Sequence, residues 1–211
     1  MKMIHISTLA TLTLAILVGG INATSIVAQE KNESAAGHDA EAMKKAELKI
    51  SETLKSLSPE DQKLAAAQRF CPMMAYSRLG AMGAPIKLTI AGKPVFVCCK
   101  SCTEGAVKGG DATVKTTQKL IESTAVLAKL PMNERMAIES QKYCAVIGGS
   151  FLGSMGAPIK LTLDGKPVYL CCGGCTKKAQ ANSAATLAKV DELKKAGLKD
   201  GHDHDHAEQK K

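Results

Sequence analysis

The sequence contains no tryptophan and only three phenylalanines and three tyrosines, so aromatics make up 3% of its 211 residues. Aromatic side chains supply the largest burial per residue, and this scarcity argues against one large enzyme core. The six fall into two short stretches: Phe70, Tyr76 and Phe96, then Tyr143, Phe151 and Tyr169. That clustering predicts two small cores surrounded by thinly packed helix. Histidine is missing between His38 and His202. No Ser/His/Asp set can therefore be assembled there, and no glycine-rich phosphate loop is present, so we expect a binding protein and no enzyme.

Long hydrophobic runs are also missing. No segment reaches the roughly 20 apolar residues that a spanning helix needs. The longest runs from about Leu9 to Val18, behind Lys2 and ahead of small residues at candidate cleavage points after Ala23 or Ala28. We read residues 1–28 as a secretory signal peptide and expect a periplasmic or secreted protein without a membrane span. Removing Lys2 with it lowers the formal charge from +8 to +7. The remaining lysines are spread along predicted helices with no basic patch, so no nucleic-acid partner is expected.

What the chain does contain is a repeat. At an offset of 73, Cys71 pairs with Cys144, Cys98 with Cys171, Cys99 with Cys172 and Cys102 with Cys175, which accounts for all eight cysteines. Between residues 71–103 and 144–176, 20 of 33 positions are identical. The match continues upstream more weakly, where LSPEDQKLAAAQRFC faces LPMNERMAIESQKYC. We place a linker and N-terminal helical segment at 29–56, one module at 57–129, a second at 130–197 and a polar tail at 198–211. The connection near Leu130 has few large apolar residues, which predicts modules that respond independently.

Punctuation and period give each module an α+β fold. Ser58-Pro59-Glu60-Asp61 predicts a capped helix start leading toward Gln68. Gly80, Gly83 and Pro85 then break the chain. Ile86, Leu88 and Ile90 alternate with polar residues, as do Ile159, Leu161 and Leu163, which is the period of a half-buried strand. Asp164-Gly165 is a strong tight-turn signal and Ala91-Gly92 a weaker one. Lysine- and alanine-rich helices follow, around Val114 to Leu130 and Leu187 to Ala196.

A hairpin brings its ends together, so Cys71 before it approaches Cys98, Cys99 and Cys102 after it. Cys144, Cys171, Cys172 and Cys175 repeat the arrangement. Converging thiolates select soft or borderline ions, and all eight cysteines are candidate ligands, about one Cu(I) or Zn(II) per module. A helix N-terminus at the cluster should lower thiol pKa values and favour the thiolate. Two other readings fit the same residues. An exported protein with an even cysteine count can be a disulfide scaffold, although adjacent Cys98 and Cys99 cannot easily bond each other. Cys99-x-x-Cys102 and Cys172-x-x-Cys175 also admit a thiol-disulfide oxidoreductase, without the βαβ context of one. Threonine (Thr103, Thr176) follows each cluster where haem attachment needs histidine.

Cys71-Pro72 with GAPIKLTIAGKPVFVCCKSC, and its repeat GAPIKLTLDGKPVYLCCGGC, resemble YHS and TRASH-type heavy-metal-binding domains. The resemblance covers roughly 35 residues per copy and implies small treble-clef-like modules. It implies ligand roles for Cys71, Cys98 and Cys102, and for Cys144, Cys171 and Cys175. The second copy departs from it with Ala145 in place of the proline. Sequestration, buffering or delivery of metal is the expected role, with a metal transporter or metal-accepting protein as partner. His202, His204 and His206 in the tail are candidate weak metal ligands. Met73, Met74, Met82 and Met155 are candidate soft auxiliary ligands, with core filling as the competing role.

Overall fold

A computed structural model describes the backbone of residues 33–202 and the side chains of residues 44–198. The expected signal peptide, and most of the histidine-rich tail, lie outside the described residues. The chain divides into two units, Met1–His38 and Asp39–Lys211, and all eight cysteines belong to the second. No described helix is long and apolar enough to cross a membrane.

The described residues form an α+β fold of seven helices and two hairpins, in the order α1 (Glu33–Leu54), α2 (Pro59–Gln68), β1 (Ile86–Ile90), β2 (Lys93–Val97), α3 (Ser101–Gly109), α4 (Asp111–Leu127), α5 (Met132–Gln141), β3 (Ile159–Leu163), β4 (Lys166–Leu170), α6 (Thr176–Ala181) and α7 (Ser183–His202). A 3-10 turn at Gly173–Cys175 leads into α6. Each cysteine cluster follows its hairpin, giving two modules of the expected loop, hairpin, cluster and helix.

Local chemistry explains the elements. Ser58 caps α2 by accepting the Asp61 N–H at 3.2 Å, with Pro59 in the first turn. Arg69 and Lys142 end α2 and α5 in the left-handed region, at φ 63° and 65°. There they swing the chain out of the helix and into the first cysteine of each module. β1 pairs antiparallel with β2 and β3 with β4, with Ile86 opposite Val97 and Ile159 opposite Leu170. Ala91-Gly92 and Asp164-Gly165 turn both hairpins with positive φ at both central residues. That is the turn whose twist matches paired strands, and Ala91 adopts it despite its side chain.

Each hairpin is buried on both faces near its end. Val95, Phe96 and Val97 are consecutive core residues, as are Val168, Tyr169 and Leu170. Helices α2, α3 and α4 all pack on β2, which explains the loss of strand alternation there. Helix α4 serves both modules: Val114 packs on the first core and Leu127 belongs to the second.

The two modules do not stand apart, which corrects the expectation drawn from the connection near Leu130. Phe70, Leu120 and Phe151 form a buried cluster between them, with Ala75 and Tyr143 against it. Tyr143 lies 4.8 Å from Phe151 and 6.0 Å from Tyr76 between ring centroids. Arg69 grips both carboxylate oxygens of Glu139 at 2.7 and 2.9 Å, and also reaches Glu47 on α1, which Arg78 pairs with as well. Only Phe96 and Tyr169 mark the separate cores. The other four aromatics gather at the seam.

Candidate metal centre

Three chain segments deliver the sulfurs of each centre. Cys71 follows the left-handed end of α2, Cys98 the end of β2, and Cys102 sits in the first turn of α3. Their three Sγ atoms lie within 4.8 Å of one another, and Cys98 and Cys102 are 3.8 Å apart. Cys144, Cys171 and Cys175 form the equivalent group, with Cys144–Cys175 at 3.8 Å and Cys171–Cys175 at 3.7 Å. All six are buried and all eight thiols of the chain are free. An ion held at about 2.3 Å from each sulfur sets tetrahedral edges of about 3.8 Å, which the Cys98–Cys102, Cys144–Cys175 and Cys171–Cys175 separations match. Each of these two groups can hold a metal ion.

The electrostatics show which thiol ionises first. The Cys98 thiol donates to Cys71, and backbone N–H groups of Cys98, Met73 and Met74 point at the same sulfur. Together they bring Cys71 down to about 6 despite its burial. Cys98 moves far upward, because it donates to Cys71 and is buried beside that charge. Burial, then the charge on Cys71, pushes Cys102 up to about 12. In the second centre burial opposes ionisation of Cys144, yet N–H groups of Cys171, Ile147 and Val146 bring it down. Cys171 and Cys175 rise, chiefly through burial. The expected lowering by a helix N-terminus does not prevail at Cys102: burial and a neighbouring thiolate outweigh the dipole.

Cys99 and Cys172 stand at the rim, partly exposed. Cys99 Sγ lies 3.8 Å from both Cys98 and Cys102 and 3.0 Å from the Ser101 hydroxyl. Cys172 Sγ lies 4.0 Å from Cys171 and 3.9 Å from Cys175. Both thiols are lowered: Cys99 against its burial by the Ser101 hydroxyl, Cys172 first by the Gly174 N–H. Neither belongs to the buried groups of three. Lys100, Lys177 and Lys178 are exposed.

The methionines divide. Ser77 donates to the sulfur of Met82 at 3.6 Å and Ser150 to that of Met155 at 3.7 Å. Met73 is 42% exposed. Met74 Sδ, by contrast, lies 4.0 Å from Cys98 Sγ. Of the tail histidines, His202 falls at the end of α7, and His204 and His206 lie outside the described residues.

One supporting pair escaped the sequence reading. Gln68, fully buried, donates to the carbonyls of Phe96 at 2.6 Å and Phe70 at 2.9 Å, and accepts the Phe96 N–H at 2.9 Å. Gln141 does the same with Tyr169 and Tyr143. These amides tie the helix before the first cysteine to the strand before the second. Glutamine at the same place in QRFC and QKYC was the available signal. No protein-family model matches the chain, and no curated protein or solved structure matches it either.

Proposed function

We propose that this is an exported protein that binds soft or transition metal ions through cysteine thiolates, one ion per module, and sequesters, buffers or delivers them. The observation that carries it is the convergence of Cys71, Cys98 and Cys102, and of Cys144, Cys171 and Cys175, at the spacing of a single thiolate-bound ion. Cys99 and Cys172 act as exchanging ligands from the open side, each able to replace one of the buried thiolates it lies 3.8 to 4.0 Å from. The likeness to YHS and TRASH-type domains, the signal peptide at 1–28, and a metal transporter or metal-accepting partner belong to this reading. So does the absence of catalysis.

Elemental analysis of the mature protein purified under reducing conditions tests it. The expected result is about two ions per chain, falling to about one when Cys98 and Cys102 are both replaced by serine. Full retention of both ions in that variant defeats the assignment. A thiol-blocking reagent applied after chelation, without reductant, should label nearly all the cysteines. No labelling there would favour the disulfide scaffold.

A further inference from the structure

The two centres share a backbone but differ in the methionines beside them: Met73 and Met74 in the first stand where the second has Val146 and Ile147, and of the two Met73 is 42% exposed whereas Met74 reaches a cysteine sulfur. Met74 and Ile147 occupy the same place in the repeat, three residues after the first cysteine of each module. Their N–H groups both point at that cysteine's sulfur. Their carbonyls both accept a serine N–H, from Ser77 at 2.8 Å and from Ser150 at 3.3 Å. The difference is therefore confined to the side chain. Met74 is half-buried against the first core, with its sulfur 4.0 Å from Cys98 Sγ. Ile147 is 47% exposed and carries no donor atom.

We propose, on the basis of the metal-binding reading above, that Met74 is a fourth sulfur ligand of the first centre and makes it the Cu(I)-selective one of the two. Two donors on one ion with bonds of about 2.3 Å and a tetrahedral angle lie about 3.8 Å apart, so the 4.0 Å separation from Cys98 is close to one edge of such a site. A thioether is soft and neutral. It adds a good bond to Cu(I), and it adds little to Zn(II), which takes its ligands from thiolate, imidazole and carboxylate. The second centre keeps its three buried thiolates without that addition. Methionine also fills irregular gaps in cores; Met82 and Met155, 38% and 61% exposed, instead set their sulfurs on serine hydroxyls in both modules alike, so neither distinguishes one centre from the other.

Full-length reduced protein is titrated with Cu(I) against a chromogenic Cu(I) chelator, and with Zn(II) against a zinc chelator, for the native chain, Met74→Leu and Ile147→Met. The native chain should fill with Cu(I) in two steps. Met74→Leu should weaken the tighter step tenfold or more and leave zinc affinity unchanged, while Ile147→Met should tighten the weaker step. Selenomethionine-labelled protein loaded with Cu(I) should show copper at bonding distance from selenium in its absorption fine structure, and Met74→Leu should remove that signal. Unchanged Cu(I) affinity in Met74→Leu, or an equal loss of zinc, makes Met74 a packing residue and overturns the proposal while metal binding stands. Native protein that binds neither ion overturns the metal-binding reading itself.

Discussion

The side-chain amide of Gln68 pairs with both the N–H and the carbonyl of Phe96, 28 residues away, and so fixes the strand that ends at Cys98. Its third bond, to the Phe70 carbonyl, fixes the segment that starts at Cys71. One buried side chain thus sets the distance between two ligands. Replacing it with leucine preserves volume but leaves two carbonyls and an N–H without partners. The cost should be about 3 kcal/mol of unfolding free energy by denaturant titration. Metal affinity of the first centre should fall with it. A variant as stable as the native chain would show that water replaces the amide.

The seam between modules predicts cooperative unfolding. Arg69 and Glu139 are both 12% exposed in their side chains and form a two-pronged pair. Glu139→Ala leaves a buried guanidinium with only Glu47 to balance it, and should destabilise the chain by about 3 kcal/mol. It should also separate one unfolding transition into two, as each module loses its hold on the other. A single transition at the native midpoint would mean that the aromatic cluster alone joins them.

Glu47 supplies an acid-sensitive element. The Arg78 guanidinium, against some desolvation, and Arg69 hold its carboxyl down from 4.5 to about 2. A folded pKa below the unfolded one contributes stability above pH 4.5 that is lost as pH falls toward 2. The side chain is 37% exposed, so solvent and salt weaken the effect. The native chain should be more stable than Glu47→Gln at neutral pH, and the gap should close on acidification through that window. A gap that persists at the acid end would assign the difference to packing.

The elements that could be read from the sequence are those set by neighbouring residues. Ser58-Pro59 starts a helix through one cap and one fixed dihedral, and Asp164-Gly165 turns a strand through two positive φ values. The cysteine groups were legible because a hairpin must return its end to its start. The seam was not. Arg69 and Glu139 are 70 residues apart in sequence, and nothing local to either says which opposite charge it will meet. The ionisation order was hidden for a related reason: helix position is a local signal, whereas burial and neighbouring thiols depend on the assembled core.

That ionisation order predicts how metal binding depends on pH. Three sulfurs within 4.8 Å cannot all carry charge without a cation between them, because each thiolate raises the cost of the next. At neutral pH the first centre therefore keeps Cys71, held at about 6, as thiolate, and Cys98 and Cys102 as thiols, both pushed upward. An ion that binds all three as thiolates must displace about two protons per centre. Its apparent affinity should then rise about a hundredfold per pH unit from just above neutrality toward the alkaline side, and more steeply below pH 6, where Cys71 itself is protonated. The second centre should follow the same direction, with Cys144 ionised first. Calorimetric titration of Zn(II) in buffers of different ionisation heat counts the released protons directly. Release near zero would mean that the three thiols are already ionised without metal, and that the sulfurs stand further apart or wetter than this core allows.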